Sequence, residues 1–308
     1  MIKVLLACVC AWAALLLAGC ATTTAVSNAE SQGPVVPLAF RGDTGQSATI
    51  DEIADLAARA PALLLGENHG HPLGLSTAAD LFDRVLTKAP AASLALEFIE
   101  RDSQPALDDY LAGLIDEPTF RTITRRTDSN YPQGHRAMVE RAKAAGRPVL
   151  AANAPRVYVR LARTQGYERL ATLTPEQRRL FRVPPQLASG KYRDDFEKVM
   201  NSMRPDAKPS PERTAQIDAM FRSQQVWDWT MGESVARLVA AGATPAVLVV
   251  GRFHIDHRGG TVQAFEQLSP GARALTVTFV DAWSDRLRDE DRGLADFVVY
   301  VGPSPAQN

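Results

Sequence analysis

Apolar residues follow three patterns along this chain. The first is one unbroken stretch, Val4 to Leu17. It is too short for a spanning helix, which takes about 20 residues, and has the length of a signal-peptide core. The second is a set of short continuous runs. Ala62-Leu63-Leu64-Leu65 ends in Gly66, Ser93-Leu94-Ala95-Leu96 ends at Glu97-Phe98, Pro148 to Ala152 ends at Asn153, and Ala246 to Val250 ends at Gly251. Runs that are apolar at consecutive positions predict strands buried on both faces, as in parallel sheets covered by helices. Leu275 to Val280 and Phe297 to Val301 predict two further strands that close the sheet. The third pattern is helical: Ile217, Met220, Phe221, Met231, Val235, Leu238 and Val239 recur at helical spacing. The fold class expected is α/β, a mainly parallel β-sheet flanked by helices, with a long helical insert between the third and fourth strands, about Pro155 to Thr244.

Cap motifs sharpen the boundaries. Thr49-Ile50-Asp51-Glu52 has the form of a capping box and predicts a helix to about Ala60. Inside the insert, Thr174-Pro175-Glu176-Gln177 and Ser210-Pro211-Glu212 predict helix starts. Ala21 to Ser47, rich in Thr, Ser, Gly, Gln and Pro, reads as a flexible tether. The expected organisation is a leader over 1–20, a tether over 21–47, a single domain over 48–303 and a short tail over 304–308.

Charge and cysteine content narrow the classes. The net charge is −1 with both signs interspersed, and no basic stripe suggests nucleic acid. The cysteines are Cys8, Cys10 and Cys20. Leu17-Ala18-Gly19-Cys20 resembles the bacterial lipobox, which implies cleavage before Cys20 and a lipid on its thiol. The expected place is the bacterial cell envelope. Ala21 after the cysteine, where Asp would stand for retention, favours the outer membrane by analogy with known sorting patterns. A chain so processed has no free thiol, which excludes cysteine metal clusters, a cysteine nucleophile and covalent haem attachment.

In open parallel sheets, ligands bind outside the carboxyl ends of the strands. Four of the five histidines follow such ends: His69 and His71 in Gly66-Glu67-Asn68-His69-Gly70-His71, and His254 and His257 in Gly251-Arg252-Phe253-His254-Ile255-Asp256-His257. Each loop begins Gly-x-x-His, where glycine permits a sharp exit from the strand. Glu67, Glu97 and Glu100 join them. Carboxylates near histidines suit a divalent metal site or a general acid/base pair. Glu100 is equally suited to pairing with Arg101 or Arg141, and His71 and His257 to plain loop roles. Asn153-Ala154-Pro155-Arg156 reads as a capped helix start that favours an anion, and Arg258-Gly259-Gly260 offers a similar corner. Met200, Met203, Met220 and Met231 lie in the insert, as a lid over an apolar ligand or as core filler.

These motifs together resemble the ChaN family of haem-binding lipoproteins. The likeness runs through Gly66-Glu67-Asn68-His69, Leu96 to Arg101 with Gln104, Tyr110-Leu111-Ala112-Gly113, Tyr131-Pro132-Gln133-Gly134-His135, Ala152 to Arg156, Gln225 to Met231 and Gly251-Arg252-Phe253-His254. The family stands in a wider Tiki and erythromycin-esterase-like group, and Gly66, Glu67, His69, Glu97 and His254 match its shared motifs. The resemblance implies non-covalent haem, held face to face in pairs between two protomers, and a tyrosine-type axial ligand. Tyr131 and Tyr158 both qualify as that ligand, and His135, a turn from Tyr131, is placed to orient it or hold a propionate. The haem-contact candidates are then Glu67, His69, Glu97, Tyr131, His135, Asn153, Arg156, Tyr158, Met231 and His254, with apolar wall from Met220, Phe221 and Trp227 and cationic corners from Arg156, Arg252 and Arg258. Haem or iron acquisition is the role implied. Tiki-like relatives imply the alternative, a metal-dependent hydrolase in which His69, His254 and Glu97 hold zinc or manganese and a glutamate, Glu67 or Glu97, activates water. A module binding some other anion through the same histidines is a third reading.

Overall fold

Alternation along each buried strand sends its side chains to two different helical layers. In the computed structural model, which describes residues 36–304, the strands are β1 (Leu38–Arg41), β2 (Ser47–Ala48), β3 (Ala62–Glu67), β4 (Ser93–Glu100), β5 (Val149–Asn153), β6 (Ala246–Gly251), β7 (Ala274–Val280) and β8 (Phe297–Tyr300). The helices are α1 (Ile50–Ala57), α2 (Pro72–Lys88), α3 (Gln104–Leu111), α4 (Glu117–Thr124), α5 (Gln133–Ala144), α6 (Arg156–Ala171), α7 (Pro175–Arg178), α8 (Lys191–Ser202), α9 (Pro211–Ala240) and α10 (Gly260–Leu268). Leu63, Leu65, Leu94, Leu96, Val247 and Val249 join α1, α2 and α5 in one core. Ala62, Leu64, Ala95, Leu248 and Val250 face the other way, onto Met231, Val235 and Leu238 of α9 and Val262 and Phe265 of α10. Both faces are therefore covered, as continuous apolar strands require.

The sheet runs β2-β1-β8-β7-β3-β6-β4-β5. The pairings from β8 through to β5 are parallel, and the expected strands β3, β6, β4 and β5 are neighbours in that order. One feature departs from expectation. Leu38–Arg41 pairs antiparallel with β8, and Ser47–Ala48 folds back on β1. The segment expected to be tether up to Ser47 is thus sheet from Leu38 onward, because Ala39 and Phe40 bury their side chains on the edge of the core. Cys20, the leader and residues 21–35 of the tether lie outside the described residues, as does the tail beyond residue 304.

The cap motifs act as predicted. Thr49 and Glu52 form the reciprocal capping box of α1. Thr174 caps α7 with Gln177 in the same way, and Ser210 accepts from the Arg213 amide at the start of α9. Helices α6 to α9 make up the insert, and Arg101, at the end of β4, ties it down. Its guanidinium donates to the Thr230 carbonyl (2.8 Å), to Ser234 and to Glu233, all on α9. Among the described residues no helix is long and apolar enough to cross a membrane.

Candidate functional site

Strand direction places Glu67 and Glu97 on opposite faces of the same sheet end. Glu67 ends β3 and follows Leu63 and Leu65 toward the α5 side. Glu97 follows Ala95 toward α9. β6, between them, ends in Gly251. Its amide donates to Glu97 Oε2 at 2.6 Å. Beyond Leu96 the register of β4 against β5 shifts, so Glu97 leaves the regular ladder and its carboxylate can reach across to that amide.

Glu67 is 1% exposed and accepts from two histidines. His69 Nδ1 lies 3.0 Å from Oε1 and His135 Nε2 lies 2.7 Å from Oε2. Burial pushes the Glu67 carboxyl up, but the two imidazoles outweigh it and hold the group below the usual carboxylate range. The hydrogen bond to Glu67 raises His69. Phe98 stands between the rings, edge-on to His69 with centroids 4.9 Å apart and 5.0 Å from His135. His69 itself is 55% exposed. Its ring crosses Gly251, where a Cβ would sit 2.8 Å from Nε2. Only glycine leaves room for that crossing.

On the α9 side, His254 is buried with Nδ1 2.6 Å from Asp228 Oδ1, and Nε2 faces Glu97 Oε1 at 3.6 Å. Asp228 is fully buried and also accepts from Thr261 (2.9 Å), Tyr192 (2.7 Å) and Gln225 (3.1 Å). Gln224 adds an amide 3.1 Å from His254 Nδ1. Burial alone would lower His254. Asp228 and Glu97 reverse that, so the imidazole is raised above the usual histidine range. The site is two histidine–carboxylate units, Glu67–His69/His135 and Asp228–His254, that meet across Gly251 and Glu97.

Other expected residues fall elsewhere. Tyr131 is 1% exposed and packs against Phe120 in the α2/α5 core, so it is not at the rim. Burial also drives its phenol well above the usual range. Met231 is fully buried under β6, in the core. His135 is fully buried, sealed behind Glu67. Asn153 ends β5 and its Oδ1 accepts from the adjacent Ala154 amide, so it does not cap α6. The start of α6 holds Glu100 instead, whose Oε2 accepts from the Arg156 amide at 3.4 Å. That carboxylate fills the expected anion corner, and it pairs with Arg156, not with Arg101 or Arg141. Arg252 is spent on Asp256, and Arg258 on Glu266 and Asp296, so neither is a free cationic corner. Phe221 packs with Tyr192 and Phe196, while Trp227 is partly buried between two clusters. Tyr158 stays half-buried on Phe181, in the first turn of α6, next to Val157, which is 65% exposed, and Arg156, whose side chain is 86% exposed. His71 caps α2 and bonds the Gly302 carbonyl, and His257 bonds Gly293, both loop roles. Among the described residues no group of three or more His, Cys, Asp or Glu is spaced to hold a metal ion, so His69, His254 and Glu97 do not form the expected triad. Residues not singled out from sequence, Asp228, Gln224, Tyr192, Thr261 and Phe98, complete the site.

A family model described as "Haem-binding uptake, Tiki superfamily, ChaN" matches residues 53–265. The fold is similar to a structure of ChaN from Campylobacter jejuni described by its cofacial haem binding. The two are 14% identical, with a TM-score of 0.64, over 85% of this chain and 96% of that one. The type III effector HopBA1 is 16% identical with a TM-score of 0.44, over 88% and 97% of the two chains. An erythromycin esterase EreC mutant in its open conformation is 12% identical with a TM-score of 0.43, over 89% and 85%. No curated protein sequence matches.

Proposed function

The chain belongs to the ChaN family of haem-binding uptake proteins in the Tiki superfamily, and we propose that it binds haem non-covalently on the rim of this cluster, with His69 as the donor to iron. One observation carries this assignment: His69 is 55% exposed, while its Nδ1 is held by buried Glu67. An imidazole whose one nitrogen donates to a carboxylate presents the lone pair of the other, and the carboxylate raises its basicity and fixes its plane. When bound, haem supplies the iron that takes that lone pair. The protein supplies apolar surface from Phe98 and Val157, while Arg156 is paired with Glu100. His254 has Nδ1 on Asp228 and Nε2 toward Glu97, so it serves as a polar wall and not as the donor.

In this reading the chain works in haem or iron acquisition. Cys20 carries lipid, the domain is held at the bacterial outer membrane, and a second copy is its partner across paired haems. The lipobox-like tetrapeptide and the uptake role in the family's description support it.

Haem titration of the full chain tests the site. A Soret band that shifts with micromolar haem is expected. Glu67→Gln should weaken binding about 10- to 100-fold, as removal of a partner behind a ligating histidine does, and His69→Ala by more. An unmoved Soret band in the wild type overturns the proposal.

The Asp228–His254–Glu97 line favours a second reading, hydrolysis. An imidazole backed by a buried carboxylate is the arrangement of a general base and its orienting group. Ester or peptide cleavage abolished by His254→Ala, in protein that binds no haem, would put this reading first.

A further inference from the structure

The insert carries a second feature that the His/Glu cluster does not use. Between α6, the end of α8 and the start of α9 lies a groove of about 410 Å³ lined by Arg163, Met200, Met203, Arg204, Arg213 and Met220. Met203 is 68% exposed, and Met200 and Met220 lie half-buried against the Tyr192, Phe196 and Phe221 cluster. Methionine is ordinarily an interior residue, and three thioether chains opening together onto solvent make a soft, adaptable apolar surface. Arg193, on the next face of α8, pairs with Asp218 at 2.6 Å. By contrast, Arg163, Arg204 and Arg213 have no carboxylate at ion-pair distance among the described residues. Arg213 donates to the Met200 carbonyl, and its Nε is buried without a partner.

We propose that this groove binds a carboxylate-bearing hydrophobe, with the apolar body on the three methionines and the carboxylate on the guanidinium groups. The size is that of a small-molecule site. Guanidinium takes carboxylate through paired, charge-assisted hydrogen bonds, and an apolar floor beside an uncompensated cationic rim complements an anionic amphiphile. A long-chain fatty acid has that chemistry, with one carboxylate at the end of a flexible apolar chain. The groove's lining residues are not those that hold Glu67, His69, Glu97 or His254, so the inference stands apart from the haem assignment there.

Isotope-labelled methionine methyl NMR on the full chain tests it, with oleate and gallium protoporphyrin as probes and oleyl alcohol as the uncharged control. Met200, Met203 and Met220 should move, while buried Met138 and Met231 stay. Movement with oleate supports the site, and movement with the porphyrin alone assigns the groove to haem and overturns the proposal. Arg204 is exposed, so Arg204→Gln combined with Arg163→Gln should keep the fold while weakening the active probe about tenfold. If neither probe moves the three signals, if all five move together, or if oleyl alcohol binds as tightly as oleate, the proposal fails.

Discussion

His254 Nδ1 lies 2.6 Å from Asp228 Oδ1, and Asp228 has no exposed surface. Its carboxylate also collects Tyr192, Gln225 and Thr261, from α8, α9 and α10. One side chain thus joins the insert to the loop after β6. Removing one member of a buried ion pair strands the other, at a cost of about 3–5 kcal/mol. Asp228→Asn should therefore destabilise the domain by roughly that amount in urea, and drop the His254 pKa in an imidazole NMR titration. An unchanged His254 titration would disprove the coupling.

Stability should pass through a maximum in mildly acid solution. His69 and His254 are both raised in the folded state: the first chiefly by its bond to Glu67, the second against burial, by Asp228 and Glu97. A raised pKa stabilises fully below the unfolded histidine value, about 6.5, and that stabilisation is lost as pH rises through the folded value. Glu67 is depressed despite burial, so its contribution holds above the ordinary carboxylate range and is lost as pH falls through its folded value. Thermal melts across acid and alkaline buffers should show both flanks. A melting temperature that keeps climbing above neutrality would contradict the assignment for the histidines.

Tyr131, one of the two tyrosines suggested by the sequence, should have no part in haem binding. Tyr131→Phe removes a hydroxyl from the α2/α5 core and should leave the haem spectrum as it was, with stability changed by no more than about 1 kcal/mol. A spectral change in that variant would show that the α5 side, not the His69 rim, meets the ligand.

Detergent-phase partitioning checks the proposed anchor. Wild-type chain expressed in a bacterium should enter the detergent phase, and Cys20→Ser should stay in the aqueous phase or remain unprocessed. Equal partitioning of the two would remove the lipid from the account.

The buried parallel strands were legible because four short runs are apolar at consecutive positions between turn signals, the pattern of a sheet covered on both faces. β1 was not, because Pro34 and Pro37 interrupt the short apolar run it ends, and four residues carry too little periodicity to outweigh the surrounding composition. The Gly-x-x-His loops pointed to Glu67, His69 and His254, since unlike an apolar side chain these have no reason to cluster at strand ends. Asp228 and Gln224 left a signal that went unread. Ile217, Phe221, Gln224, Asp228, Met231, Val235 and Leu238 form one buried stripe of α9, and its two polar members interrupt an otherwise apolar row. His135 was placed beside Tyr131 by helical spacing, but the helix start turns the imidazole under the sheet and the phenol into the core, a rotation that spacing alone does not convey.

The position of β6 also governs when the site can exist. It lies between β3 and β4, yet it follows them by the whole length of the insert. While the chain is being synthesised, β3, β4 and β5 emerge first, with the facing edges of β3 and β4 unpaired and the seat of Gly251 vacant. Such edges invite pairing with other chains. Neither Glu97 nor His69 has its crossing point until the sixth strand slides in. Recognition at the His69 rim is thus withheld from any fragment that ends before β6, and such a fragment should not compete for haem.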